Sequence, residues 1–213
     1  MARIAYLGPH GTFTEAALLQ LIAAGAVPAR ASGEVQQISV TGAAVALDAV
    51  RDGSADFACV PIENSIDGSV APTLDSLATG TPLQLYAETT LDVAFSIVVR
   101  PGRTPADVTT VAAHPVAGAQ VRRWLAAELP AARLLPAHSN AAAAEQVVDG
   151  VADAAVSTAL AADYHRLATL AAGIVDEPNA RTRFVLAGPP GRSEPAPANA
   201  RACSRPSGVS AVP

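Results

Sequence analysis

The chain has 213 residues, half of them hydrophobic and 15% charged, a balance that excludes intrinsic disorder for most of its length and allows one or two domains with their own cores. All 14 basic residues are arginine, and without lysine there is no Schiff-base chemistry, no pyridoxal phosphate anchor and no P-loop of the usual kind. A formal charge of −5 and 4% aromatic residues argue against a nucleic-acid-binding face, while two cysteines (Cys59 and Cys203) and four histidines are too few and too scattered for a zinc site or a disulfide framework.

The N-terminal apolar run is too short for a signal peptide, and Gly, Pro and charges interrupt every stretch before the ~18 apolar residues of a membrane span. A soluble cytoplasmic protein is expected. Short β-rich runs then alternate with Ala-rich helical patterns, which predicts an α/β fold with largely parallel strands. Arg3–Leu7 is the first strand, followed by a glycine turn and a helix near Phe13–Ala24. Val35–Ser39 and Phe57–Val60 are strands flanking a helix at Ala43–Arg51, which Asp52-Gly53 stops. Cys59, in the apolar run, reads as a buried inert thiol. Leu83–Thr90 and Asp92–Val99 are β-rich. Three strand–helix units follow: Thr110–Ala113 with Val116–Glu128, Arg133–Leu135 with Ala141–Val148, and Ala154–Ser157 with Ala159–Arg166. Arg183–Leu186 is the last strand.

From Pro189 the composition changes. The final 25 residues hold six Pro and four Ser, and no Leu, Ile, Met or aromatic residue, so disorder is expected there.

Four stretches carry polar chemistry at strand ends, where α/β sheets hold their ligands. Gly8-Pro9-His10-Gly11-Thr12-Phe13-Thr14-Glu15 is a glycine turn into a helix, suited to an anion at the helix N-terminus. Its Thr12-x-x-Glu15 spacing is equally a capping box that would serve structure alone. Val60–Val70 contains Glu63-Asn64-Ser65, a carboxylate, an amide and a hydroxyl with no packing use, although an Asx-turn and helix cap would use the same residues. His114-Pro115 through Gln120 opens a helix, and Ser139-Asn140 before Ala141 reads first as an N-cap. Asn179–Phe184 brings Arg181 and Arg183 around Thr182; guanidinium groups pair bidentately with carboxylates, yet two exposed strand-edge arginines are also common. No G-x-S-x-G elbow or Ser-His-Asp arrangement is present.

In this order, Gly8–Phe13 (G-x-x-G-T-F), Val60–Gly68 (V-P-I-E-N-S-x-x-G), Thr73-Leu74-Asp75, His114-Pro115 with Gln120, and the closing Thr182-Arg183-Phe184 resemble prephenate dehydratase over nearly the whole folded body. The resemblance implies a lyase that needs no cofactor and turns prephenate into phenylpyruvate, carbon dioxide and water on the route to phenylalanine. It implies a two-lobed α/β fold of the periplasmic-binding-protein type II kind, with the active site in the interlobe cleft, and a homodimer or homotetramer without nucleic-acid or membrane partners. The catalytic domain would be residues 1–188, with lobe 1 at 1–77 and 163–188, lobe 2 at 78–162, and the tail at 189–213. By resemblance, Thr182 donates to the departing hydroxyl and Glu63, if burial raised its pKa, would relay the proton. Arg183 would clamp a carboxylate. Asn64, Ser65, Gln120, Thr12, His114 and Asn140 are the candidate substrate contacts, and Phe184 is expected to pack beneath the site. Thr182 and Arg183 are expected to face the Glu63–Ser65 turn across the interlobe gap.

Two departures bear on this. Ala113 precedes His-Pro where some relatives carry a hydroxyl residue. After Gly188 nothing resembles the phenylalanine-binding ACT domain that usually follows, so a core without inhibition through that domain is expected, by truncation or a shifted reading frame. The competing expectation is a non-catalytic or degenerate two-lobed carboxylate-binding protein.

Overall fold

A computed structural model of the protein describes residues 1–28, 34–177 and 179–191. The tail expected to be disordered lies outside the described residues from position 192 on, as does Cys203. Eleven strands and seven α-helices occur along the described chain, with a 3-10 turn at Pro105–Asp107: β1 (Ala2–Leu7), α1 (Phe13–Ala23), β2 (Val35–Val40), α2 (Ala43–Arg51), β3 (Phe57–Asn64), β4 (Gly68–Ser69), α3 (Ala71–Thr79), β5 (Gln84–Asp92), β6 (Phe95–Val99), β7 (Thr110–Ala113), α4 (Pro115–Gln120), α5 (Arg122–Glu128), β8 (Arg133–Pro136), α6 (Asn140–Val148), β9 (Ala154–Ser157), α7 (Ala159–His165), β10 (Ala168–Ile174) and β11 (Arg181–Gly188).

The strands form two sheets, so the two-lobed α/β expectation holds. The first has the order β2-β1-β3-β11-β5, with β4 paired to β3, and the second has the order β10-β6-β9-β7-β8. In the first sheet β1, β2 and β3 are parallel and β11 runs against β3 and β5. In the second, β7, β8 and β9 are parallel and β6 runs against β9 and β10. The reversed strands are thus β11 and the short β4 in the first sheet and β6 in the second, and the other strands of each sheet run one way, as the largely parallel expectation had it. The reversals follow from the connections. The chain leaves the first sheet through β5, enters the second as β6, and returns from β10 into β11.

Because β5 and β10 run with their parallel neighbours, both crossovers leave from the C-terminal strand ends of each sheet. The two sets of strand ends must then face one another. The crossovers touch, Val93 N–H donating to Ala180 C=O at 2.7 Å. Sheet membership also corrects the lobe boundaries: β5 belongs to the first sheet and β10 to the second, so the divisions fall at 93–94 and 175–180. The extended crossovers hydrogen-bond onto the sheet they leave, which moves each boundary beyond the helix that precedes it.

Alternation along the strands builds the cores. Ile4, Tyr6, Phe57, Cys59, Phe184 and Leu186 face α1 and pack on Ala17, Leu18 and Leu21; Ala5, Ala58, Val60, Val185 and Ala187 face α2 and pack on Ala46, Leu47 and Val50. Each buried leucine of this kind contributes about 2 kcal/mol. In the second lobe Ile97, Val99, Val111, Val156 and Leu125 form one core cluster, and Val98, Ala112, Ala155, Ala144 and Val147 another on the opposite face. Among the described residues, no helix is long and apolar enough to cross a membrane.

Candidate active site

The turn after β1 is built around Gly11. Its φ of +85° suits glycine, and a Cβ placed there would lie 2.7 Å from the Ala161 Cβ of α7. That close approach joins the lobes: Thr158 at the start of α7 donates its hydroxyl to Gly11 C=O at 2.6 Å. Thr12 caps α1, its Oγ1 accepting Glu15 N–H at 3.3 Å and donating to Leu7 C=O at 3.1 Å. The capping-box reading therefore holds only in half, because the Glu15 carboxylate turns to Gly11 N–H at 2.5 Å instead of the N-cap amide. Glu15 is buried and also accepts from Tyr164 Oη of α7 at 3.0 Å, with His10 Nδ1 at 2.9 Å. Burial and the Glu15 charge push the Tyr6 hydroxyl well above the ordinary tyrosine range. With its hydroxyl engaged on both sides, Thr12 offers a ligand only its helix end.

On the other side of β3, Thr182 pairs with Asn64 in the β11–β3 ladder. Thr182 is 9% exposed, and its Oγ1 lies 2.9 Å from Asn64 Nδ2. The Asn64 carbonyl oxygen accepts Ile66 N–H at 2.8 Å and Asp67 N–H at 3.1 Å, an Asx-turn that fixes which end of the amide meets the threonine. Asn64 therefore donates, Thr182 accepts, and the Thr182 O–H proton is left to point elsewhere. Ser65 closes the turn: its N–H donates to Arg181 C=O at 2.8 Å and its Oγ accepts Arg181 N–H at 2.9 Å. Thr73, fully buried, donates to Pro61 C=O at 2.7 Å and ties α3 to β3 where the pairing skips a residue.

Two expected roles fail on geometry. Thr182 and Arg183 are successive strand residues and point to opposite faces of the sheet. Arg183 lies between Glu63 and Glu88, each 2.9 Å away, and these two carboxylates hold its guanidinium above the usual arginine range. Its charge is already matched, so it is not placed as a substrate clamp. Glu63 is 50% exposed on that same face, neither buried nor beside Thr182, and burial gives it no route to act as proton relay. Nor do Thr182 and the Asn64 turn face each other across a gap; they are neighbours in one sheet.

The remaining candidates lie at the C-terminal strand ends of the second sheet. His114 is the half-buried N-cap residue of α4 and makes no side-chain cap bond. Gln120, at the end of α4, is 9% exposed, and its Oε1 is buried without a hydrogen-bond partner. Ser139 caps α6, as its position predicts, accepting Ala142 N–H at 2.9 Å. Asn140 follows, and its Oδ1 is likewise buried without a partner. Phe184 is buried in the core behind Thr182, as expected, and burial pushes the Cys59 thiol up to about 12, which makes it inert at neutral pH. A cavity of about 450 Å³ lies at the other end of the first sheet, lined by His10, Glu15, Val35, Gln37 and Tyr164. It is separate from Thr182, since β1 and β3 stand between β2 and β11.

The family model for prephenate dehydratase matches residues 4–191. The chain belongs to the prephenate dehydratase family. The prephenate dehydratase of Mycobacterium tuberculosis (strain ATCC 25618 / H37Rv) is 68% identical over 191 residues, covering 90% of this chain and 60% of that protein. The chain thus spans about 60% of the length of the curated relatives it matches. A crystal structure of the Arthrobacter aurescens prephenate dehydratase, solved with L-phenylalanine, superposes with a TM-score of 0.78 at 41% identity, covering 89% of this chain and 60% of that one. A structure described as a quorum-quenching acylase of a novel type matches at 29% identity and a TM-score of 0.72, covering 92% of this chain and 67% of that one.

Sequence reasoning about this prephenate dehydratase family member missed three residues that build the site. Thr158 and Tyr164 join the lobes across Gly11 and Glu15. Asp176, in the β10–β11 crossover, bonds to both sides of a helix break next to Gln120. The Thr158 contact had a local signal, a hydroxyl directly before the helix at Ala159. The other two depend on contacts between distant parts of the chain and have none.

Proposed function

We propose that this chain converts prephenate to phenylpyruvate, carbon dioxide and water, a carbon–oxygen lyase reaction in phenylalanine biosynthesis. The ring carboxylate leaves as carbon dioxide, its bonding electrons enter the ring, and the ring hydroxyl departs as hydroxide, which takes a proton to become water. Aromatisation supplies the driving force, so the protein has to orient the substrate and assist the leaving hydroxide. No redox cofactor or electron sink enters this balance.

The observation that carries the reading is the orientation of the Asn64 amide. Because the Asx-turn holds its carbonyl end, Asn64 donates to Thr182 Oγ1 and leaves the Thr182 hydroxyl proton free to bond the departing oxygen. A threonine hydroxyl is a poor acid, so Thr182 acts as a placed donor with the proton replaced from solvent. With Arg183 engaged on the opposite face, the substrate carboxylates fall to neutral donors: the N-terminal end of α1 beyond Thr12, the Ser65 hydroxyl, and the amides of Gln120 and Asn140 on the facing lobe. An unpartnered amide can turn either end toward a ligand. His114, half-buried at the head of α4, lines the same set of strand ends.

The reading includes a cytoplasmic protein that forms homodimers or homotetramers, which gel filtration with light scattering would decide. Its rival is a two-lobed protein that binds a carboxylate without chemistry. Purified protein given prephenate at neutral pH should form phenylpyruvate well above an enzyme-free control. Calorimetric binding of prephenate with no product after long incubation would favour the rival.

A further inference from the structure

Helix α4 ends at Gln120 and α5 begins at Arg122, with Val121 between them out of the helical range at φ −122° and ψ 13°. A break of this kind orphans carbonyls behind it and N–H groups ahead of it. Valine has no side-chain acceptor to cap α5. Asp176, from the crossover between β10 and β11, serves both ends. Its backbone N–H donates to Gln120 C=O at 2.6 Å, and its Oδ2 accepts Arg123 N–H at 2.8 Å. The Arg123 guanidinium folds back onto the Asp176 carbonyl oxygen and reaches its carboxylate at 3.7 Å and Glu177 at 3.3 Å. The Asp176 side chain is only 13% exposed, and a carboxylate at a helix N-terminus is favoured by the dipole.

We propose that Asp176 is a positioning residue which, by bonding across the α4–α5 break, fixes Gln120 as a substrate contact. The inference rests on the reading of Gln120 given above. Gln120 is the last residue of α4, so where its amide points depends on where that helix stops, and no residue inside the helix itself specifies the stop. Asp176 also lies on the segment that continues through Ala180 into Thr182. One crossover thereby carries the reacting hydroxyl into the first lobe and holds the end of the helix that bears the Gln120 amide in the second, so a single segment links the two.

Steady-state kinetics on the full chain test this with Asp176→Ala, Asp176→Asn, Gln120→Ala and the Asp176→Ala/Gln120→Ala pair. Asp176→Ala should raise KM for prephenate about tenfold with kcat within about twofold. Asparagine keeps an acceptor for Arg123 N–H and should restore KM to within about twofold of wild type. In the Gln120→Ala background, Asp176→Ala should add nothing. An unchanged KM, full additivity with Gln120→Ala, or a loss confined to kcat overturns the proposal, the last being what a reduced folded fraction alone produces. If Asp176→Ala does not fold, Asp176→Glu displaces the carboxylate by one methylene and should raise KM severalfold; a wild-type KM there overturns the proposal. Should wild-type protein not turn over prephenate, the reading of function falls separately. The break is then decided by amide exchange: Asp176→Ala should speed exchange at Arg123 N–H and shift the Gln120 side-chain resonances, and unmoved signals overturn it.

Discussion

Asn64 Nδ2 stands 2.9 Å from Thr182 Oγ1, and the other end of the same amide is held by the Ile66 and Asp67 N–H groups. The pair therefore has a direction, and reversing it is a sharper test than deleting it. Asn64→Asp keeps an oxygen for the turn but presents a second acceptor to Thr182, which then donates to the aspartate instead of the substrate. Expected is a fall in kcat of about 100-fold or more at nearly unchanged melting temperature, close to the effect of Thr182→Val. Phenylpyruvate formation measured beside thermal unfolding checks this; wild-type turnover in either variant removes Thr182 from the reaction.

Arg183 gives the opposite expectation. Its guanidinium is shared by Glu63 and Glu88 on the face away from Thr182, and all three side chains are about half or more exposed. Exposed ion pairs contribute about 0–1 kcal/mol. Arg183→Gln should cost about 1 kcal/mol or less in urea unfolding and raise KM for prephenate less than about threefold. A rise of two orders of magnitude would mean that the side chain leaves its two carboxylates to take a third.

The role of Arg183 shows how one boundary decides a site. A strand beginning at Arg183 leaves Thr182 in the preceding turn, where both side chains can share a ligand. A strand beginning at Arg181, as observed, forces them to opposite faces. The boundary is invisible locally because Ser65 and Val93, bonded to Arg181 and Ala180, extend the pairing from elsewhere in the chain. The caps at Thr12 and Ser139 were legible, since a hydroxyl before an apolar run names its own partner three residues on, and the missed cap at Thr158 follows the same rule. Strand β10 was not: Ala168–Ile174 is partly exposed, Ala-rich and without alternation, and lies at the edge of its sheet. Helix α3 buries only Thr73 and so shows no apolar stripe. The break at Val121 is hidden for the same reason as the Arg181 boundary, its partner Asp176 being distant in sequence.

Gly11 and Gly25 separate two costs of adding a methyl group. Both have positive φ, +85° and +65°, but a Cβ at Gly11 would meet Ala161 at 2.7 Å whereas nothing lies within 4 Å at Gly25. Gly25→Ala should lose about 1 kcal/mol, the strain of the left-handed backbone alone. Gly11→Ala adds overpacking against α7 and should lose about 2–4 kcal/mol. It should also lower turnover, because it pushes apart the lobes that Thr158 joins. Equal losses in denaturant unfolding would mean that α7 yields freely to the intrusion.

Asp153 links stability to pH through four bonds. Thr109 and Thr110 each donate a backbone N–H and a hydroxyl to its Oδ2 at 2.8–3.0 Å, and these bonds lower its pKa from 3.8 to about 2. A carboxyl whose folded pKa is depressed binds its proton more readily in the unfolded chain, so unfolding is favoured as protons become available. The stabilisation is complete above the unfolded value of 3.8 and is lost as pH falls toward about 2. Asp153→Ala should therefore unfold at lower urea than wild type at pH 7, where the bonds tie the start of β7 to the strand end before β9. The gap should narrow steadily below the unfolded pKa and close near the folded one. Urea midpoints for both proteins across that range measure it directly, and a gap independent of pH would assign the loss to the hydrogen bonds of the neutral acid instead of its charge.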